Sequence, residues 1–179
     1  MLLKRFYYII CLILGAIRSS PALAGWETIQ ILDFGVIEVS GATTITMGTN
    51  GNLTSQSMVS HQGEHNGTVR YNNDSSSSIK VQMSRASNTQ LTCIANCNSC
   101  SLTASSIKYN PQGNKTIQAN SYMDWNLGAS IIVSNANCQG VFEGTASLPT
   151  TVAGSSVIAP LGIKIVLGNI PTATITVNN

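Results

Sequence analysis

The stretch TIQILDFGVIEV, residues 28–39, decides the fold. Ile29 and Ile31 alternate with Thr28 and Gln30, and β-branched residues dominate the rest, a period-2 run rather than a helical one. Similar runs recur as TTITM (43–47), SIKVQM (78–83), SIIVS (130–134), GIKIVLG (162–168) and TATITVN (172–178). Apolar residues spaced three and four apart rarely survive the next Gly, Asn or Ser, so no helix is expected. Turn clusters separate the runs: GTNGN (48–52), NNDSSSS (72–78), NPQGN (110–114) and PTTVAGSS (149–156). Short strands punctuated this regularly predict an all-β sandwich or barrel. The four serines read as a hairpin tip rather than an interdomain tether.

The first residues read differently. Lys4 and Arg5 precede the apolar run FYYIICLILGAI (6–17), and Ala22 and Ala24 fit an A-x-A cleavage site. This is the three-part pattern of a secretory signal peptide over residues 1–24. The apolar run is short of the ~20 residues that span a bilayer, so contact with the membrane is expected only through the cleaved signal. Residues 25–179 then form one domain, long enough to bury a core. Cleavage removes Lys4, Arg5 and Arg18, which lowers the basic residues from 9 to 6 against 7 acids, a formal charge of −1. That balance gives nucleic-acid binding no electrostatic basis. The expected location is the periplasm, the cell surface or the exterior of a bacterium. In that setting the N-x-S/T sequons at Asn52, Asn66, Asn73 and Asn114 carry no weight.

HQGEHNG (61–67) spells H-x-x-E-H, the spacing of an inverted zinc-peptidase motif, with His61, Glu64 and His65 as candidate metal groups. The motif works when a helix brings both imidazoles to one face. Gly63 lies inside it and Gly67 follows it, without an apolar stripe or cap. In a strand the two histidines stand about 13 Å apart, from about 3.3 Å per residue. A solvated loop is the expectation, with no resident metal, and Glu143 is only a distant third acid. No nucleophile elbow, P-loop or dinucleotide fingerprint occurs, and the two histidines share one segment, so no catalytic residues, cofactor or enzymatic activity are expected. Asp33 is expected to face solvent by alternation, with a hydrogen bond to a neighbouring turn as the alternative. Trp26, Trp125, Tyr109 and Tyr122 read as core or rim residues, with a sugar-stacking platform as the second reading.

Once Cys11 leaves with the signal, Cys93, Cys97, Cys100 and Cys138 remain. C-x-x-x-C-x-x-C is also the spacing of a radical iron–sulfur motif, but an oxidising compartment favours two disulfides over a cluster, a Cys₄ zinc site or a redox pair. Three connectivities are open. The preferred one joins Cys93 to Cys100 and Cys97 to Cys138.

One further stretch carries a resemblance. ILDFGVIEVSGATTITMGTNG (31–51) resembles the opening of the secreted bacterial family catalogued as domain of unknown function 4402. Leu32, Asp33, Phe34, Gly35, Gly41, Thr44, Ile45 and Gly48 occupy that family's motif positions. The stretch is also similar to the spore-coat-U and Csu-type pilin-like proteins. The middle of the chain departs from the pattern: the Phe-x-Val-x-Gly segment is missing and the cysteine cluster is extra. The resemblance implies an immunoglobulin-like or pilin-like β-sandwich. It implies a surface, pilus-associated or adhesive role, with surface subunits or a periplasmic chaperone as partners. The other functional expectation is a free-standing carbohydrate- or ligand-binding module. TATITVNN is expected to close the sandwich as a hairpin with GIKIVLG, beside the LDFG strand, so that removing it abolishes folding.

Overall fold

Alternation of Thr, Val and Ile with polar residues gives extended chain almost everywhere. The computed structural model describes residues 25–168 apart from residue 99 and residues 135–136, and every element in it is a β-strand. In chain order these are β1 (Gly25–Gln30), β2 (Leu32–Val39), β3 (Thr43–Met47), β4 (Leu53–Thr54), β5 (Met58–Gln62), β6 (Gly67–Asn73) and β7 (Ile79–Met83). Then follow β8 (Thr89–Ala95), β9 (Leu102–Asn110), β10 (Lys115–Ile117), β11 (Ser121–Val133), β12 (Gly140–Val152) and β13 (Ser155–Leu167).

One sheet runs β1-β6-β11-β9. Beyond the end of β6, β3 takes over the same flank of β11 and carries β4. The second sheet runs β12-β13-β2-β5, with β7 and β10 beyond one end of β12. Their inward residues form one shared core, with Trp125, Phe34, Phe142, Leu127, Ile131 and Leu148 among those fully enclosed. The Trp26 indole N–H spans the two sheets, donating to Thr150 Oγ1 at 3.0 Å.

Two strands belong to both sheets. The first changes sheet at Ile31: β1 lies antiparallel to β6, whereas β2 lies parallel to β13. β8 does the same, since Thr89–Leu91 pair with β9 while Thr92, Cys93 and Ala95 pair with β12. This division of the first strand, with its second half parallel to the last described strand, closes the two sheets into an immunoglobulin-like β-sandwich.

Some of the short runs read from sequence are whole strands and others are pieces of longer ones. TTITM is β3, and SIIVS lies within the thirteen-residue β11. GIKIVLG is the second half of β13. The turn assigned to PTTVAGSS shrinks to Ala153 and Gly154, because proline in this strand sits at exposed positions and both hairpin arms continue through it. NNDSSSS and NPQGN do turn. Residues 1–24 and TATITVNN lie outside the described residues. GIKIVLG pairs with β12 and β2, and both flanks of β2 are filled, by β13 and β5.

The cysteine pairing differs from the preferred one: Cys93 joins Cys97, and Cys100 joins Cys138. The cause is local. Asn96 adopts φ 53°, which turns the chain sharply after β8 and brings Cys97 back to Cys93. The Asn98 N–H then donates to Gln139 O, and the Gln139 N–H donates to Asn98 Oδ1, laying Cys100 against Cys138.

Candidate functional site

The H-x-x-E-H segment and the LDFG motif prove to be one structure. His61 and Gln62 end β5, whose partner is β2; a turn at Gly63 and Glu64 follows, and His65 forms a two-way backbone bridge with Asp33. The Asp33 side chain is half-buried, and its carboxylate accepts the N–H of Gly35 at 2.8 Å, a hydrogen bond that stays within β2 rather than reaching a neighbouring turn. Gly35 has φ +74°, and a Cβ there would stand 2.3 Å from Gln62 O and 2.8 Å from Glu64 N. Phe34 and Gly35 of β2 together oppose the single Ile165 of β13, a bulge that moves the buried positions from Leu32 and Phe34 to Ile37. The motif therefore seats the following turn against the first strand. Ile45 is fully buried, and Gly48 forms the β3–β4 turn through its N–H to Asn52 O. Gly41 is half-buried, and Thr44 helps line an open polar groove of about 510 Å³ beside β3 and β4.

His61 Nδ1 lies 2.7 Å from Glu64 Oε1, with both side chains partly exposed. His65 Nδ1 faces Asn66 O at 3.4 Å. The strand and turn thus turn His61 and Glu64 towards each other and tie His65 to a different neighbour. No group of three His, Cys, Asp or Glu side chains suited to a metal ion occurs among the described residues.

The aromatic residues divide. Trp125 is fully buried, and its indole N–H has no hydrogen-bond partner among the described residues. Trp26 packs on it at 5.1 Å and edge-on to Tyr71 at 5.2 Å. Burial, aided by Asp74, raises the Tyr71 hydroxyl above its ordinary value. Tyr109 donates to Met83 O at 2.6 Å. Tyr122 alone of the four stands well exposed, at 57%, on the outer face of the β1-β6-β11-β9 sheet.

Beside Tyr122, Arg70 donates through Nε to Asp124 Oδ1 at 2.7 Å and through a terminal nitrogen to Asp124 Oδ2 at 2.9 Å. Its guanidinium carbon sits 3.8 Å from the Tyr122 ring centroid. The hydrogen bond to Asp124 raises Arg70 above its ordinary value, against a smaller opposing effect of desolvation. Cross-strand register is the missing signal: Arg70 and Asp124 are far apart in sequence and meet only because β6 and β11 pair.

These features define an all-β sandwich of the immunoglobulin-like class with two disulfides. No family model and no curated protein matches the chain, so the resemblance to domain of unknown function 4402 and to spore-coat-U proteins gains no support. Among solved structures it is similar to a PapD-like domain of human CEP192, with a TM-score of 0.42, 8% identity and coverage of 82% of this chain and 87% of that one. It is also similar to the CooA pilin subunit from enterotoxigenic Escherichia coli, with a TM-score of 0.36, 13% identity and coverage of 81% and 99%. A family 123 glycoside hydrolase from Clostridium perfringens is a third, with a TM-score of 0.28, 14% identity and coverage of 59% and 21%. At these scores the likenesses assign no function.

Proposed function

We propose that the chain is a secreted, non-enzymatic β-sandwich with an adhesive or structural role at a bacterial cell surface, beside pilus-type subunits. The observation that supports this most is the use made of its reactive groups. Cys93 and Cys97, Cys100 and Cys138, His61 and Glu64, Arg70 and Asp124, and Asp33 with Gly35 all fasten neighbouring segments. Two disulfides suit an extracytoplasmic compartment.

β5 offers the place where a surface subunit or periplasmic chaperone would add. Among the described residues it is the last strand of its sheet, and Val59 on it is 61% exposed. An open strand edge accepts an extended partner segment through main-chain hydrogen bonds.

The test is expression of the full-length chain in a Gram-negative host, followed by fractionation and shearing of the cell surface. Recovery of oxidised protein in the periplasmic or sheared fraction is expected. Recovery in the cytoplasm with Cys93, Cys97, Cys100 and Cys138 all reactive would overturn the proposal.

A further inference from the structure

We propose that the outer face of the β1-β6-β11-β9 sheet is a binding platform for neutral pyranose chains, with Tyr122 as its stacking residue. The proposal rests on the adhesive reading above and gives it a ligand class and a site.

Tyr122 keeps 57% of its surface exposed although Arg70 lies over its ring. The guanidinium backs one ring face, which leaves the other open to a flat apolar partner. A pyranose presents such a partner in its axial C–H groups. The ring is also held before any ligand arrives. Asp124 grips Arg70 with two hydrogen bonds, and Arg70 holds Tyr122. A preset ring loses little rotamer freedom on binding.

The pairing of β6 with β11 places the polar partners in rows. Asn72 stands opposite Tyr122, Arg70 opposite Asp124, and Thr68 opposite Asn126. All six belong to the outward-facing sets of their strands, since Val69, Tyr71, Trp125 and Leu127 take the buried positions between them. Same-face residues recur about 6.8 Å apart, so three rows cover about 14 Å. That length accommodates more than one sugar ring.

The hydrogen-bonding chemistry is mixed, as hydroxyl groups require. Thr68 donates to Asn126 Oδ1 at 3.2 Å, which fixes the amide and leaves its N–H₂ to donate outward. Each Asp124 oxygen takes one hydrogen bond from Arg70 and retains a lone pair for a sugar hydroxyl. Charge then narrows the ligand class. The positive charge of Arg70 is answered by Asp124 on one side and by Glu27, opposite it on β1, on the other. Within these three rows, the described residues therefore offer phosphate chains, nucleic acids and uronic-acid glycans no unanswered cation. Within these three rows one aromatic ring stands among polar side chains, unlike the core of a protein interface, which gathers several apolar ones.

The test uses purified full-length protein with amide NMR spectra recorded during titration. The probes are three neutral hexasaccharides (cellohexaose, mannohexaose and chitohexaose) and the acidic hexagalacturonate. At least one neutral probe should bind with Kd in the range of about 0.1–1 mM, moving signals of residues 68–72 and 122–126. Tyr122→Ala should weaken binding about tenfold while preserving the remaining spectrum, and Tyr122→Phe should retain it. Failure of all three neutral probes at about 10 mM, unchanged binding by Tyr122→Ala, or preference for hexagalacturonate would overturn the platform. Fractionation reports separately on the surface role. Surface recovery without sugar binding removes only the platform, and sugar binding by a cytoplasmic protein removes only the surface role.

Discussion

Gly35 and Gly63 have nearly the same backbone, φ +74° and φ +77°, but unlike surroundings. A methyl group at Gly35 meets the backbone of Gln62 and Glu64, whereas one at Gly63 meets nothing within 4 Å. Gly35→Ala should therefore cost about 2–4 kcal/mol and Gly63→Ala about 1 kcal/mol, read from urea midpoints. The difference isolates the clash from the shared conformational penalty. His61→Ala removes only a partly exposed pair with Glu64, so a loss of about 0–1 kcal/mol is expected, with no loss of bound zinc. One zinc per chain that vanished in that variant would reverse this reading. Tyr71 gives a pH prediction. Its native pKa lies above the ordinary 10.0, so the unfolded chain gives up the proton first as pH rises. The stabilisation is complete below pH 10.0 and is lost as pH climbs through the raised native value. Tyr71→Phe should flatten that alkaline decline in a series of denaturation curves.

The two disulfides close rings of very different size, spanning 4 and 38 positions of sequence. Loop-closure entropy scales with the logarithm of ring size. Replacing Cys100 and Cys138 by alanine should cost about 4 kcal/mol, and replacing Cys93 and Cys97 about 2 kcal/mol, measured by chemical denaturation. The unreduced protein should take up no alkylating reagent by intact mass. The pairing itself was hidden in the sequence because Asn96 sets it through a left-handed turn, a conformation that a non-glycine residue does not advertise. Strand character was legible wherever Thr, Ile and Val alternate, as in β3. Strand length was not, since Pro149 read as punctuation but occupies an exposed position of β12, one of two thirteen-residue hairpin arms. The bulge at Gly35 also conceals which side of β2 is buried, by shifting the pattern in mid-strand.

Across the whole molecule, the two-sheet architecture followed from the recurrence of strand and turn signals, whereas the Tyr122 face required the register of β6 against β11. β13 lies between β12 and β2, and the expected closure by TATITVNN falls outside the described residues. Ile163, Ile165 and Leu167 face the core at alternate positions of β13. A chain ending at residue 154, which lacks β13, should therefore show no cooperative thermal transition, followed by circular dichroism.

The parallel contact between β2 and β13 also sets a timetable. A chain made from its N-terminus produces β2 near the beginning and β13 near the end. Leu32, Phe34 and Ile37 must then wait, uncovered, until most of the polypeptide exists. During that interval the half-made protein is an adhesive object of the wrong kind, a substrate for holdases and proteases. Its survival in the cell depends on how quickly the last hairpin arrives.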